Sequence, residues 1–189
     1  SIIGRLFIFT YKGVSSCFLR PYYLNILGKQ IVEIGYYSLP VVGLTTLFSG
    51  MVLALQSYTG FARFSAEGAV ATVVALSITR ELGPVLAGLM VAGRIGASIA
   101  AEISTMRVTD QIDALETLAT DPYKYLVAPR IVASVLCLPF LVLVGDLIGI
   151  YGGYLVGIHK LGFNNTTYLT QTLMYLQPMD VISGIVKAA

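Results

Sequence analysis

Long apolar stretches separated by short polar ones dominate the pattern along this chain. Residues 36–56 contain no charged side chain, residues 131–158 contain one acid, and residues 69–101 contain three charges among apolar positions. About 20 apolar residues are enough to cross the hydrocarbon core of a bilayer. The pattern therefore predicts three membrane segments, followed by a fourth, partly apolar segment at residues 169–189 that Gln177-Pro178 breaks.

The second of these segments is too long to be one straight crossing. At 1.5 Å per residue, residues 69–101 would extend about 50 Å, against a hydrocarbon thickness of about 30 Å. Near their middle, Arg80 and Glu81 come just before the helix-weakening pair Gly83 and Pro84. Helices usually kink or break at such a pair, so we expect an interruption here.

Arg80 and Glu81 are the first candidates for function, because an ionisable group within a membrane segment costs at least about 2.5 to 3.5 kcal/mol. Pairing inside a helix bundle would offset that cost, and so would a polar ligand or a water-filled cavity. Neighbouring helical residues point about 100° apart, so Glu81 is expected to find a partner other than Arg80. The other intramembrane charges, Arg94 and Asp146, are interpreted as packing devices, with Asp146 or Glu102 as the partner of Arg94.

The first part of the chain, residues 1–33, has the pattern of a basic amphipathic helix that lies in the membrane interface. Arg5, Lys12 and Arg20 fall within one narrow arc of such a helix, and Pro21 is expected to end or kink it. A cleavable signal peptide is the alternative interpretation. Because charges interrupt the apolar residues and no small-residue cleavage site follows, we favour a retained interfacial helix.

Residues 102–130 form the most charged part of the chain and are predicted to lie outside the membrane. Within them, Ile112, Leu115 and Leu118 recur at helical spacing beside an acidic face, and an Asp-Pro pair follows as a stop signal. The pattern predicts a short amphipathic helix. A solvated surface helix without a partner would give the same pattern.

The distribution of basic residues predicts how the chain is oriented in the membrane. Four of them precede the first membrane segment and three lie in the loop 102–130, whereas the connections on the other side hold only Arg63 and Lys160. Basic residues collect in cytoplasmic loops, so the N-terminus is predicted to be cytoplasmic. The seven residues are Arg5, Lys12, Arg20, Lys29, Arg107, Lys124 and Arg130.

Composition narrows the class of protein further. Of the 189 residues, 56% are hydrophobic and 12% are charged, and the formal net charge is +2. Soluble domains carry about 25% charged residues, so the composition favours an all-α polytopic membrane helix bundle over a soluble enzyme. Two separated cysteines and one histidine indicate no metal site, and nothing suggests a nucleic-acid partner.

Close helix packing is predicted along a stripe of glycines at intervals of four, Gly145, Gly149, Gly153 and Gly157.

The sequence contains no phosphate-binding loop. Gly28, Lys29 and Gln30 lack the upstream glycine and the following Ser or Thr of that motif. We therefore expect this chain to be no enzyme and to hold no cofactor. If it drives transport, the energy would come from a partner ATPase that binds the ATP, or from an ion gradient acting through Glu81.

A dense set of motifs between residues 75 and 130 resembles the MlaE/YrbE permeases, the membrane subunits of MCE-type ABC lipid transporters. The resemblance extends from about residue 31 to the end of the chain. The motifs that carry it are Ala75-Leu76-Ser77, Arg80-Glu81-Leu82-Gly83-Pro84-Val85, Ala92-Gly93-Arg94, Ala101-Glu102-Ile103, Met106-Arg107, Asp121-Pro122 and Pro129-Arg130.

The resemblance implies a single permease domain of a bacterial inner-membrane protein. It implies a homodimer with five spanning helices per subunit, of which the last would lie beyond this chain. It also implies two cytoplasmic ATPase subunits, a periplasmic MCE-domain ring and a lipid bound between the two permease subunits. Such a protein moves phospholipid or a related lipid and maintains the lipid balance of the outer membrane.

Residue roles follow from the same resemblance. The loop helix corresponds to a coupling helix that contacts the ATPase, through Asp110, Ile112, Asp113, Leu115 and Glu116. The positions that match the lipid lining are Leu53, Gln56, Phe61, Phe64 and Glu81. Phe64 stands where the better known form has a tyrosine, so a hydroxyl donor is missing there.

Two other classes of function remain open from the sequence. An ion-coupled secondary transporter would use Glu81 as the proton carrier and would be sensitive to protonophores. A structural membrane anchor for an enzyme complex would lose nothing when Glu81 and Phe61 are replaced by alanine.

Overall fold

The computed structural model describes residues 2–17, 24–64, 66–118 and 120–188, and within these ranges it contains nine α-helices and no strand. The predicted all-α class is confirmed. Arg20, Pro21 and Ala189 lie outside the described residues. The helices are α1 (Ile2–Cys17), α2 (Leu24–Gly35), α3 (Leu39–Phe61), α4 (Val70–Ser77), α5 (Gly83–Val108), α6 (Gln111–Thr117), α7 (Ala128–His159), α8 (Asn165–Tyr175) and α9 (Pro178–Ala188).

Three helical runs in the described part of the chain are long and apolar enough to cross a membrane, Asn25–Phe64, Val70–Val108 and Tyr123–His159. They cover the three segments that hydropathy predicts, except for Ala69. Each run is longer than its apolar segment, and residues 102–108, predicted as loop, continue α5. A helix does not have to end where the bilayer ends, because its backbone hydrogen bonds are satisfied within the helix in water as well as in lipid.

The fourth, partly apolar segment is interrupted at Gln177 and Pro178, as the sequence predicts. It holds most of α8 and all of α9, each of 11 residues and thus about 16 Å long, which is too short for a core of about 30 Å. The helices separate at Leu176 and Gln177, since a residue that precedes proline is disfavoured in helical conformation and Pro178 begins α9.

The N-terminal segment, predicted as an interfacial helix that Pro21 ends or kinks, contains two described helices. Residues 1–33 hold α1 and most of α2, and α2 continues through a 3₁₀ turn, Tyr36–Ser38, into α3. The first long helical run in the described residues begins at Asn25, within α2.

The chain divides into two compact units. Unit 1 comprises Ser1–Tyr37 and Ala92–Cys137, and unit 2 comprises Ser38–Val91 and Leu138–Ala189. In unit 1, α1 packs on a π-helical turn, Tyr123–Val127.

Unit 2 has a core where α3 meets α4, formed by the buried residues Ala54, Val70, Val74 and Ile78. The hydrophobic faces of α3 and α4 are therefore paired within this unit.

The glycine stripe of α7 lies in unit 2 and allows close approach, as predicted. All four stripe glycines are buried. A Cβ atom at Gly149 would lie 3.2 Å from the carbonyl oxygen of Thr46, and one at Gly157 would lie 2.8 Å from the Tyr168 ring. From α3, Gly50 faces the carbonyl oxygen of Gly149, where a Cβ atom would collide. Two glycines from two helices thus bring the backbones of α3 and α7 together.

Candidate functional site

A π-helical turn, Ile78–Leu82, interrupts the second long helical run at the predicted place. The helix does not end there but continues as α5, with Pro84 inside it. Proline has no N–H, so carbonyl oxygens one turn before Pro84 lack their usual helical donor. Groups from outside the helix must compensate for that loss.

Helix α9 lies against these carbonyl oxygens. The Lys187 Nζ donates a hydrogen bond of 2.9 Å to the carbonyl oxygen of Arg80, four residues before Pro84. Gly184 faces the carbonyl oxygen of Thr79, so closely that a Cβ atom at position 184 would collide with it. The absence of a side chain at Gly184 therefore allows α9 to approach the turn.

Two ion pairs join the same elements. The Arg80 Nε donates to Asp180 Oδ1 over 2.7 Å, and the Arg80 Nη2 lies 2.5 Å from the same oxygen. The Lys187 Nζ lies 2.6 Å from Glu81 Oε1. Arg80 and Glu81 therefore pair with α9 and not with each other, as their helical geometry predicted. We call the two pairs together with the Thr79–Gly184 contact the charged junction.

Asp180 is the buried member of the charged junction. Its side chain is 5% exposed, and its second oxygen accepts the backbone N–H of Gln177 over 3.1 Å. This bond closes the first turn of α9. Asp180 thus fixes the start of α9 and the position of the Arg80 guanidinium at the same time.

The other charged groups of the junction remain accessible in the single chain. The side chains of Arg80 and Glu81 are 52% and 69% exposed, and that of Lys187 is 47% exposed. Arg80 and Glu81 lie on a run that can cross a membrane, where a charge facing lipid tails is costly. Their exposed sides therefore require water, polar groups or another protein.

Asp146 of α7 has neither carboxylate oxygen hydrogen-bonded to any residue that the structure describes, although it is buried. Its Oδ1 occupies the space that a Cβ atom would need at Gly83, the first residue of α5. Asp146 thus packs directly on the end of the π-helical turn, and only glycine fits opposite it.

Arg94 belongs to unit 1. It lines a cavity of about 670 Å³ together with Lys29, Glu33 and Tyr37. Glu102, one of the partners suggested for Arg94, is bound by the buried side chain of Arg130.

The residues that match the family's lipid lining lie in unit 2 in different surroundings. Leu53 and Phe61 are partly buried against the core between α3 and α4. Gln56 is exposed on α3, and Phe64 is 82% exposed in the 3₁₀ turn that follows it. Glu81 instead contacts Lys187 in the charged junction.

The predicted loop helix exists as α6 in unit 1. Asp110, just before it, adopts a left-handed conformation with φ of 56°, which Asp tolerates better than most residues. Asp113 pairs with Arg107 of α5. Ile112 and Leu115 are half-buried, Glu116 is exposed, and the apolar side chains of Val108 and Leu118 flank the helix with 83% and 74% exposure.

Sequence reasoning missed Asp180 and Lys187, the two partners that α9 contributes. A signal was present, because the two lie seven residues apart and therefore on one helical face of a mostly apolar segment. Their pairing with Arg80 and Glu81, about 100 residues earlier, required the tertiary structure.

Comparison with known proteins finds that the chain is similar to membrane permeases. A family model described as "Permease MlaE" matches residues 27–189. A "Probable ABC transporter permease protein" of Rickettsia felis is 65% identical over 186 residues, which are 98% of this chain and 72% of that protein. The "Intermembrane phospholipid transport system permease protein MlaE" of Haemophilus influenzae is 40% identical over 164 residues, 86% of this chain and 63% of that protein. The chloroplastic protein Trigalactosyldiacylglycerol 1 of Arabidopsis thaliana is 36% identical over 160 residues, 85% of this chain and 46% of that protein.

Proposed function

The chain belongs to the MlaE family of ABC transporter permeases, and from that premise we propose that it carries phospholipid or a related lipid between the bacterial inner membrane and a periplasmic MCE protein. The name of the Haemophilus relative supports phospholipid as the substrate class. In this proposal the N-terminus is cytoplasmic, and the transport maintains the lipid balance of the outer membrane.

The observation that carries the proposal is the exposure of Arg80 and Glu81 on a helical run long enough to cross the membrane. Half-exposed charges at membrane depth are stable when they face a wet or polar space. A second copy of the subunit, placed opposite the charged junction, would enclose such a space. The exposed charges therefore favour a homodimer with an internal chamber over a subunit surrounded by lipid.

The candidate lining has the chemistry that a phospholipid needs. Leu53, Phe61 and Phe64 are apolar and suit acyl chains, whereas Gln56 and Glu81 offer an amide and a carboxylate for the polar headgroup region. Gln56 and Phe64 are accessible in the single chain, so a lipid can reach them without rearrangement of α3.

ATP hydrolysis is assigned to a partner subunit that binds at α6. Exposed acids, Asp113 and Glu116 among them, and the exposed apolar side chains of Val108 and Leu118 give this part of unit 1 a mixed surface. Such a surface suits docking to a cytoplasmic protein, with the apolar groups at the centre of the contact and the acids at its rim.

Photocrosslinking in the complete transporter tests the proposal. A photoreactive amino acid at Gln56 or Phe64 is expected to capture phospholipid, and the yield should change when ATP is bound by the partner. The matched control is Leu55, an exposed residue that points about 100° away from Gln56 around α3. Capture at Leu55 should not depend on ATP. If capture at Gln56 and Phe64 does not depend on ATP either, these residues do not line a substrate site.

The same preparation separates the two rival functions. Lipid movement that continues without ATP and stops with a protonophore would indicate ion coupling through Glu81. Unchanged transport after the combined Glu81→Ala and Phe61→Ala substitutions would indicate an anchor. Transport that requires ATP and is reduced by these substitutions supports the permease.

A further inference from the structure

A second polar cavity, of about 220 Å³, lies in unit 2 and shares no residue with the charged junction. It lies between the 3₁₀ turn Glu67–Ala69, the start of α4 and the first half of α8. Both connections predicted to lie on the outer side of the membrane meet at this place. The lining residues used below are Gly68, Phe163, Asn164, Thr167, Tyr168 and Gln171.

The polar groups of this cavity are free to bind. Within the described part of the chain, the Gln171 amide and the Thr167 hydroxyl have no hydrogen-bond partner. The Asn164 side-chain oxygen caps α8 by accepting from the N–H and the hydroxyl of Thr166, which leaves its NH₂ group available. These groups provide both donors and acceptors.

The lining also limits the charge of a ligand. None of the described side chains that line the cavity is ionisable near neutral pH. Among the described lining side chains, a phosphate would find no cation and an ammonium group would find no carboxylate. The cavity therefore suits an uncharged group that carries several hydroxyls.

Aromatic rings form one wall. The ring centroids of Phe163 and Tyr168 are 6.2 Å apart, and they belong to a continuous row in which Tyr58 contacts Phe163 and Tyr154 contacts Tyr168. Tyr and Trp collect where the membrane meets water, so such a row marks the level of the lipid headgroups. An aromatic wall also packs well on the apolar C–H face of a sugar ring, whose hydroxyls can point to amides and hydroxyls at the edge.

We propose that this cavity binds an uncharged polyhydroxyl group, such as the glycosyl headgroup of a lipid at the outer surface of the membrane. The assignment to a lipid rests on the proposed function and its topology, whereas the preference for uncharged hydroxyls rests on the cavity alone. A free sugar offers the same chemistry, so the experiment must separate the two sources.

The test uses the full permease with its ATPase in phosphatidylcholine nanodiscs, free of alkyl-glycoside detergent that would compete for the cavity. Binding of glucosyl-diacylglycerol within the nanodisc and of methyl β-glucoside in solution is measured by saturation-transfer NMR. Gln171→Ala should weaken binding of the glycolipid by about fivefold, the loss expected for one neutral hydrogen bond.

Two further variants make the test specific. Gly68→Leu places a side chain into the cavity and should abolish binding; its Cβ atom would lie 3.4 Å from the Gln171 Nε2, an ordinary contact that the fold tolerates. Thr170→Ala is the matched control, because Thr170 is exposed on the same helix and its hydroxyl bonds to the backbone of Thr166. That variant should bind like the unmodified protein.

Each outcome decides the proposal. Glycolipid binding that is weakened by Gln171→Ala, lost in Gly68→Leu and kept in Thr170→Ala supports it. Binding of methyl β-glucoside alone would overturn the assignment to a lipid, and equal binding by all variants, or none by any protein, would overturn the site. Phospholipid capture at Gln56, measured in the same nanodiscs, reports the proposed function separately, so failure of one leaves the other visible.

Discussion

Lys187 donates a hydrogen bond to the carbonyl oxygen of Arg80, which lies in the π-helical turn just before Pro84. One ammonium group thus compensates a backbone defect and neutralises Glu81, which it also contacts. Both contacts come from α9, in the segment for which the sequence predicted partly apolar character and a break at Gln177-Pro178. The helix defect and its compensation are therefore one structural unit, held together by the charged junction.

Replacement of Lys187 by methionine should destabilise the charged junction. The carbonyl oxygen of Arg80 loses its donor and Glu81 loses its counter-ion, for a cost of about 1–3 kcal/mol. A loss of a few degrees in the melting temperature of the purified protein is expected. Lys187→Arg keeps the charge and should lower the melting temperature less than Lys187→Met does. Equal melting temperatures for the two variants would contradict the assigned role.

The two members of the Arg80–Asp180 pair should respond unequally to substitution. Arg80→Met leaves the buried Asp180 carboxylate without its cation, whereas Asp180→Asn leaves a guanidinium that is half exposed and can be hydrated. Arg80→Met should therefore reduce folded yield and thermal stability more than Asp180→Asn does, by about 1 kcal/mol or above. A larger loss in Asp180→Asn would mean that the pair does not hold α9 as described.

A methyl group at position 83 should be excluded by Asp146. Gly83→Ala places a Cβ atom in the space of the Asp146 Oδ1, and overpacking of this kind costs about 1–3 kcal/mol. The control is Gly88→Ala in the same helix, where a Cβ atom meets open space and stability should stay the same or rise. Thermal unfolding of both variants gives the comparison.

The double variant Gly83→Ala with Asp146→Ala checks the cause. Removal of the carboxylate makes room for the new methyl group, so the double variant should recover part of the stability lost in Gly83→Ala. Strictly additive losses would show that Asp146 and Gly83 are not in energetic contact.

Charge reversal on α6 should loosen ATPase binding while the protein still inserts into the membrane. Asp113→Lys also breaks the pair with Arg107, so the exchanged double variant Arg107→Asp with Asp113→Arg serves to restore that pair. Co-purification of the ATPase and coupled ATP hydrolysis are the measurements. Normal coupling in Asp113→Lys together with Glu116→Lys would rule out α6 as the docking element.

Much of the fold could be predicted because the bilayer imposes one rule on every crossing segment. A long apolar stretch must form a helix, so residues 36–56, 69–101 and 131–158 were predictable, as was the interruption near Gly83 and Pro84. The close packing at the glycine stripe of α7 was predictable as well, because small residues at intervals of four in a membrane helix allow another helix to approach closely.

The sequence by itself determined the all-α class, the family and the location of the unusual charges, because hydropathy, periodicity and motif spacing are local properties of the chain. Only the tertiary structure decided that α9 supplies Asp180 and Lys187 to Arg80 and Glu81, and that Asp146 packs on Gly83. Contacts of this kind join residues about 60 to 100 positions apart, and they depend on how helices pack against each other. No pattern along one helix contains that information.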